Sequence, residues 1–122
     1  MKVIRKQEAE VRQGKTFTGE TVLEEMLFPQ MPGGIKLTVV RFADGSVTHW
    51  HTHPGEQVLY VLEGECRVGT ETEEMTLRPG DVVHTPPGEK HWHGAAPGTS
   101  MMHISITTVG SPTWMEAPKL AN

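Results

Sequence analysis

The amino-acid sequence predicts an all-β chain, a sandwich or barrel of short strands, and three observations carry that expectation. Thirteen Gly and nine Pro are spread along 122 residues rather than gathered in one segment, so turns recur at short intervals. The stretches between them are brief and rich in β-branched and aromatic residues. Many short strands at such spacing favour a closed or two-layered β architecture.

Residues 1–20 are mostly polar, with room for an early strand near Phe17. Thr21–Phe28 (TVLEEMLF) is periodic enough for a strand or a turn of helix. Ile35–Phe42 (IKLTVVRF) alternates in its first half and stops at Ala43-Asp44-Gly45-Ser46, a turn composition, and reads as a strand. Further strands are expected at Gln57–Leu62, Glu65–Gly69, Glu74–Arg78, Asp81–Thr85, His91–Ala95 and Met101–Thr108. The tail from Gly110 carries Pro112 and Pro118 and no strand pattern of its own, although Trp114 and Met115 offer anchors to the body.

Composition removes several classes of function. A net charge of −4 without a Lys/Arg cluster lacks the footprint of a phosphate-backbone binder, so no nucleic-acid partner is expected. The longest apolar run, Val58–Leu62, is five residues against the roughly 20 of a spanning helix, so no membrane partner is expected either. Cys66 is the single cysteine and residues 1–10 hold no signal-peptide core, which makes a cytoplasmic location the expectation. Cys66 has no neighbouring cation or base and reads as an inert buried thiol. Glu71–Glu74 reads as a solvated hairpin tip, and Trp50, Trp92 and Trp114 as packing or interface residues.

Seven histidines are the outstanding feature of the composition. On a strand, His49, His51 and His53 share one face, and two imidazoles one pleat apart can aim at a common point. Such a pair is half of a metal site. The spacing around it adds specificity: Gly45, five residues, His51-Thr52-His53, three residues, Gln57, six residues, Gly64. Later come Gly80, five residues, Pro86-Pro87-Gly88, two residues, His91.

These residues resemble the two signature motifs of the cupin superfamily, G-x5-H-x-H-x3,4-E-x6-G and G-x5-P-x-G-x2-H-x3-N. Two positions depart from the pattern: Gln57 replaces the usual glutamate, and Ala95 the usual asparagine. The stretch GDVVHTPPGEKHWHGAAPGTSMMH, with HTHPGEQ and the late WME, also resembles the small manganese-dependent bacterial hydroxynitrile lyases of cupin fold.

The resemblance implies a jelly-roll β-barrel, one cupin domain over residues 1–122. Its core is expected at about 35–108, an N-terminal arm at about 1–34 and a C-terminal tail at about 109–122. It further implies one divalent transition-metal ion on His51, His53, Gln57 and His91, manganese first, with iron, nickel, zinc or copper as alternatives. Glu56 competes with Gln57 for the fourth place, but its spacing departs from the pattern and its side chain should face away from that of Gln57. His93, two residues past His91 on the same face, is the candidate general acid or base, with a structural role as the alternative. His103 and Thr48, and Val40 beside them, are candidates for the cavity wall, whereas His49 and His84 are not expected to ligate.

Three functions follow as expectations. One is Lewis-acid lyase chemistry of the hydroxynitrile-lyase type on a small molecule. The second is a dioxygenase acting on a small aromatic or dicarbonyl compound. The third is a non-catalytic binding cupin. A homodimer is expected in each case.

Overall fold

The computed structural model describes residues 1–120, so the last two residues of the expected tail lie outside the described part. A short 3-10 turn at Lys6–Glu8 is followed by β1 (Glu10–Gln13), β2 (Thr21–Leu27), β3 (Lys36–Phe42) and β4 (His51–Thr52). Then come β5 (Gln57–Gly64), β6 (Cys66–Gly69), β7 (Glu74–Leu77), β8 (Val82–Thr85), β9 (Trp92–Ala95), β10 (Met101–Thr107) and β11 (Thr113–Trp114). No helix is long and apolar enough to cross a membrane among the described residues.

One layer is a six-stranded antiparallel sheet in the order β1-β2-β3-β10-β5-β8. The other is built from β7-β6-β9, which bridges through Val47 to Gly94 and His51 to His91 onto the ribbon β4-β11. From β3 onward the chain alternates between the layers, except at the β6–β7 hairpin, as in a jelly roll.

Between Ile35 and Thr108 the strands fall where the alternation puts them, to within one or two residues. The N-terminal segment differs from a simple arm. Thr21–Leu27 is a full strand beside β3, with Thr21, Leu23 and Glu25 turned inward, and β1 forms the sheet edge. The ambiguity between strand and helix is resolved by pairing: Leu23 lies opposite Val40 and enters the core. The tail also contributes a strand, since Trp114 pairs with His51, and Met115 N–H donates to the Trp50 carbonyl at 2.8 Å.

The apolar core occupies one end of the barrel. Leu23, Val40, Phe42, Val61, Cys66, Val68, Leu77, Ala95 and Met101 form it, with Phe17 and Val83 packed against it. Burial of each large side chain there contributes about 1.5–3 kcal/mol. Along the inner face of β3 the environment grades from Phe42 and Val40 in this floor to Thr38 and then Lys36 at the mouth.

Gly64 closes the first motif in a left-handed conformation (φ 77°), where an added Cβ would also run into the Ser100 carbonyl. A register shift between Met102 and His103 in the β10–β5 pairing gives a local bulge beside His103.

Candidate metal centre

Two backbone features bring the histidines together. His51 and His91 exchange both backbone hydrogen bonds at 3.0 Å, so strands distant in sequence present the two imidazoles side by side, ring centroids 4.2 Å apart. The turn after His53 is closed from outside, because Gly88 N–H donates to the His53 carbonyl at 2.9 Å. The His53 ring lies 5.0 Å from that of His51 and 5.5 Å from that of His91.

The tautomers of two rings are set by their own loops. His51 Nδ1 lies 2.9 Å from the His49 carbonyl and His91 Nδ1 2.9 Å from that of Glu89. A carbonyl only accepts, so Nδ1 carries the proton in both and Nε2 is left with a lone pair. His91 Nε2 faces Gln57 Oε1 at 3.0 Å, while Gln57 Nε2 donates to Ser105 Oγ at 3.0 Å. Two acceptors therefore face each other at a distance suited to neighbouring ligands of one cation.

Both ring nitrogens of His53, also buried, have no hydrogen-bond partner among the described residues. Orphaned buried nitrogens and an acceptor-to-acceptor contact cost stability unless a cation joins them. Imidazoles and an amide oxygen are donors of the kind a divalent transition-metal ion takes, and of the expected ligands His53 stands outside the histidine set whose nitrogens lie mutually within 4.8 Å.

His93 stands closer than the sequence suggested. Its ring nitrogen, with those of His51 and His91, forms a set lying mutually within 4.8 Å, a trio that can itself hold a metal. His93 Nδ1 is 3.1 Å from His103 Nε2, and the outer nitrogens of this pair, His93 Nε2 and His103 Nδ1, have no partner among the described residues. His103 is fully buried beneath it against Phe42, with ring centroids 5.1 Å apart. Thr48 clamps the strand: its N–H donates to the His93 carbonyl and its Oγ1 accepts from the His93 N–H.

Burial keeps these rings neutral. It pushes His51 down to about 2, helped by His91, and His53 to about 4, again with His91 adding. Burial alone brings His103 to about 4, and burial and then His103 hold His93 well below the ordinary range. Neutral imidazoles are the form that ligates metal or accepts a proton.

The remaining expectations sort cleanly. Val40 lines the cavity with Thr48. Glu56 points outward and pairs with exposed His84 at 2.8 Å, so it stands away from the cluster. Cys66 is buried, and burial pushes its thiol up to about 12. Glu71, Glu73 and Glu74 are exposed at the β6–β7 hairpin.

Trp114, expected to be a packing or interface residue, lies tilted against the His51 ring with centroids 4.4 Å apart and lines one wall of the cavity. Ser105, which orients Gln57, was recognisable in the sequence only as an inward position of the last long strand.

The histidines open into a cavity of about 410 Å³ walled by Phe17, Leu23, Val40 and Trp114, within the size range of small-molecule sites. Residues 38–109 match the family model for the cupin domain. The chain is a cupin.

Among curated proteins, this cupin is 45% identical over 94 residues to an (R)-mandelonitrile lyase of Granulicella tundricola, covering 74% of this chain and 70% of that one. Among solved structures it resembles a cupin-like protein of Thermotoga maritima at 34% identity and TM-score 0.81, covering 86% and 84% of the two chains. A predicted oxalate decarboxylase of the same organism shares the fold at 21% identity and TM-score 0.77, covering 89% and 100%.

Proposed function

We propose that this cupin is a metal-dependent lyase that cleaves a cyanohydrin or a similar small hydroxy compound. The carrying observation is the His93–His103 pair, in which His93 keeps a buried Nε2 without a partner among the described residues while belonging to the same close histidine cluster as His51 and His91. In this reading His51, His53, Gln57 and His91 hold one divalent ion, which when bound supplies Lewis acidity toward a substrate oxygen. Manganese comes first because the motifs resemble those of manganese-dependent lyases, and the oxygen of Gln57 is a ligand it accepts.

The chain's own residues manage the proton. In the tautomer in which His93 Nδ1 donates to His103, His93 has a free lone pair on Nε2 and takes the substrate hydroxyl proton. The O–H electron pair becomes the second bond of a carbonyl, the adjacent C–C bond breaks, and cyanide leaves with its electron pair. His93 then returns the proton to give hydrogen cyanide. Thr48 and His103 keep the ring in place, and Trp114 with Phe17 shields the site from water.

The similarity to a mandelonitrile lyase supports this substrate class. The test is release of benzaldehyde from mandelonitrile by the metal-loaded protein without oxygen, with His93→Ala and His91→Ala as controls. Cleavage lost in both variants, and metal lost only in His91→Ala, is the expected result. Retention of stoichiometric metal by His91→Ala overturns the site. Oxygen uptake with a catechol or diketone in place of cleavage transfers the chemistry to an oxygenase, and silence in both assays leaves a binding protein.

A homodimer belongs to the same reading. Its support is the outer face of the six-stranded sheet, where Tyr60 and Val82 are exposed. Light scattering reads the mass.

A further inference from the structure

The cavity that holds the histidines carries formal side-chain charge of one sign. Arg12 and Lys36 line its mouth, and no carboxylate lines it among the described residues. Arg12 stands half-exposed on the edge strand β1, in register with the inward Leu23, and Lys36 stands at the mouth end of the inner face of β3. They lean on one buried acid, Glu25 on β2, which uses a separate oxygen for each: Arg12 Nε to Oε1 and Lys36 Nζ to Oε2, both 2.6 Å. A register shift in the β2–β3 pairing falls between Glu25 and Leu27, next to this contact.

The stoichiometry is uneven, two cations to one anion, leaving a net charge of +1. The outer face of the same strands shows the balanced alternative, a single Arg41–Glu24 pair at 2.7 Å. The inner triad also leaves donors free. Neither Nη nitrogen of Arg12 makes a hydrogen bond to the protein among the described residues, and Lys36 Nζ has two further protons.

We propose that this mouth is a carboxylate subsite: Arg12 and Lys36 receive the anionic end of a small hydroxy- or carbonyl-bearing substrate whose other end reaches the histidine cluster. The proposal rests on the reading of the cavity as the substrate site and names the class of molecule it takes. The sheet fixes the span. Lys36 lies opposite Thr107, and Thr107 opposite Gln57, so the ammonium's strand is two strand spacings, about 10 Å, from the amide at the cluster. With the lysine side chain reaching inward, a body the size of a benzene ring fills the gap between Phe17, Leu23 and Trp114. Glu25 acts as a placeholder that holds both cations facing the cavity. Burial raises its carboxyl and the hydrogen bonds from Lys36 and Arg12 outweigh that, so it stays ionised.

The experiment is calorimetric titration of the full-length protein, metal-loaded and chelator-treated, with phenylacetate and with its neutral isostere phenylacetamide. A charge-assisted bidentate contact predicts at least a tenfold preference for the carboxylate in both metal states, weakening with salt. R12Q and K36Q should each reduce the preference to about threefold or less. E25Q frees both cations and should strengthen phenylacetate binding at least threefold, a change opposite in sign to the loss expected if the triad only braces the sheet edge.

Equal binding of the two probes, no binding of either, a preference untouched by R12Q and K36Q, or one that vanishes with the metal each overturns the proposal. A failure to cleave mandelonitrile with the preference intact removes the lyase reading alone.

Discussion

Exchange of Gly69 for alanine probes how β9 holds its histidines. Gly69 lies opposite Trp92, the residue between His91 and His93, and the indole lies across the glycine with 3% of its surface exposed. A Cβ at Gly69 would press on three indole atoms, Cε2, Nε1 and Cζ2, the last at 2.5 Å. The Arg67 guanidinium sits 5.5 Å from the same ring and restricts its retreat.

Two effects then oppose each other. Alanine in a strand gains about 0.5–1 kcal/mol over glycine from backbone entropy, while overpacking costs about 1–3 kcal/mol. The net expectation is a loss of about 1–2 kcal/mol with the ring displaced. If the ring is expelled, about 150–250 Å² of apolar surface returns to water and the loss approaches about 5 kcal/mol. Urea unfolding followed by circular dichroism gives the free energy, and a red shift in tryptophan emission separates the two cases. Metal affinity should fall with the displacement, because His91 and His93 flank the indole. A Gly69→Ala protein more stable than its parent by about 0.5–1 kcal/mol would refute the packing argument.

Other outcomes follow from the same geometry. In the metal-free protein His51, His53 and His103 have folded-state values of about 2, 4 and 4. The unfolded chain binds protons first, so stability present above about pH 6.5 is lost as pH falls below it. By pH 5.5 each of the three forfeits about 1.4 kcal/mol, and a stability constant to within about 1 kcal/mol between pH 7.5 and 5.5 would contradict the burial of these rings. Gln57→Glu replaces a neutral ligand oxygen with a charged one and should tighten metal at least about tenfold, equivalent to about 1.4 kcal/mol; unchanged affinity would remove Gln57 from the site. Cys66 should resist an alkylating reagent in the folded protein at pH 8 and react only after denaturation, because burial raises the thiol to about 12.

What could be read from the sequence was local. The strand at Ile35–Phe42, the inward parity of His51 and His53, the burial of Cys66 and the outward turn of Glu56 all follow from alternation and spacing over fewer than about ten residues. The two motif strings singled out Gln57 and His91, which the fold brings into contact although 34 residues separate them.

Long-range pairing was not legible. Trp114 reaches His51 because a two-residue ribbon folds back across the chain, and a strand that short has no periodicity to detect. The partnership of Arg12, Glu25 and Lys36 depends on register between strands whose order no composition encodes. Thr21–Leu27 was ambiguous for a related reason: its inner face runs Thr21, Leu23, Glu25, so an inward-facing acid interrupts the expected apolar alternation.

The division of the barrel into an apolar floor and a polar upper half explains how so many histidines are tolerated. An unpartnered buried polar atom costs about 1–3 kcal/mol, and four ring nitrogens of His53, His93 and His103 are in that position. The floor offsets this: Phe42 and Val61 are almost wholly buried directly under the pair His93–His103. The same arrangement fixes the direction of reactivity. His93 and His103 both line the cavity, hydrogen-bonded to each other, and Phe42 packs against the two rings. A proton accepted at His93 Nε2 therefore has two routes, back to the cavity or through the pair to His103. Burial disfavours charge on both rings, on His93 no less than on His103, so a proton taken up by the pair is readily released to the cavity, as the proposed lyase reading requires.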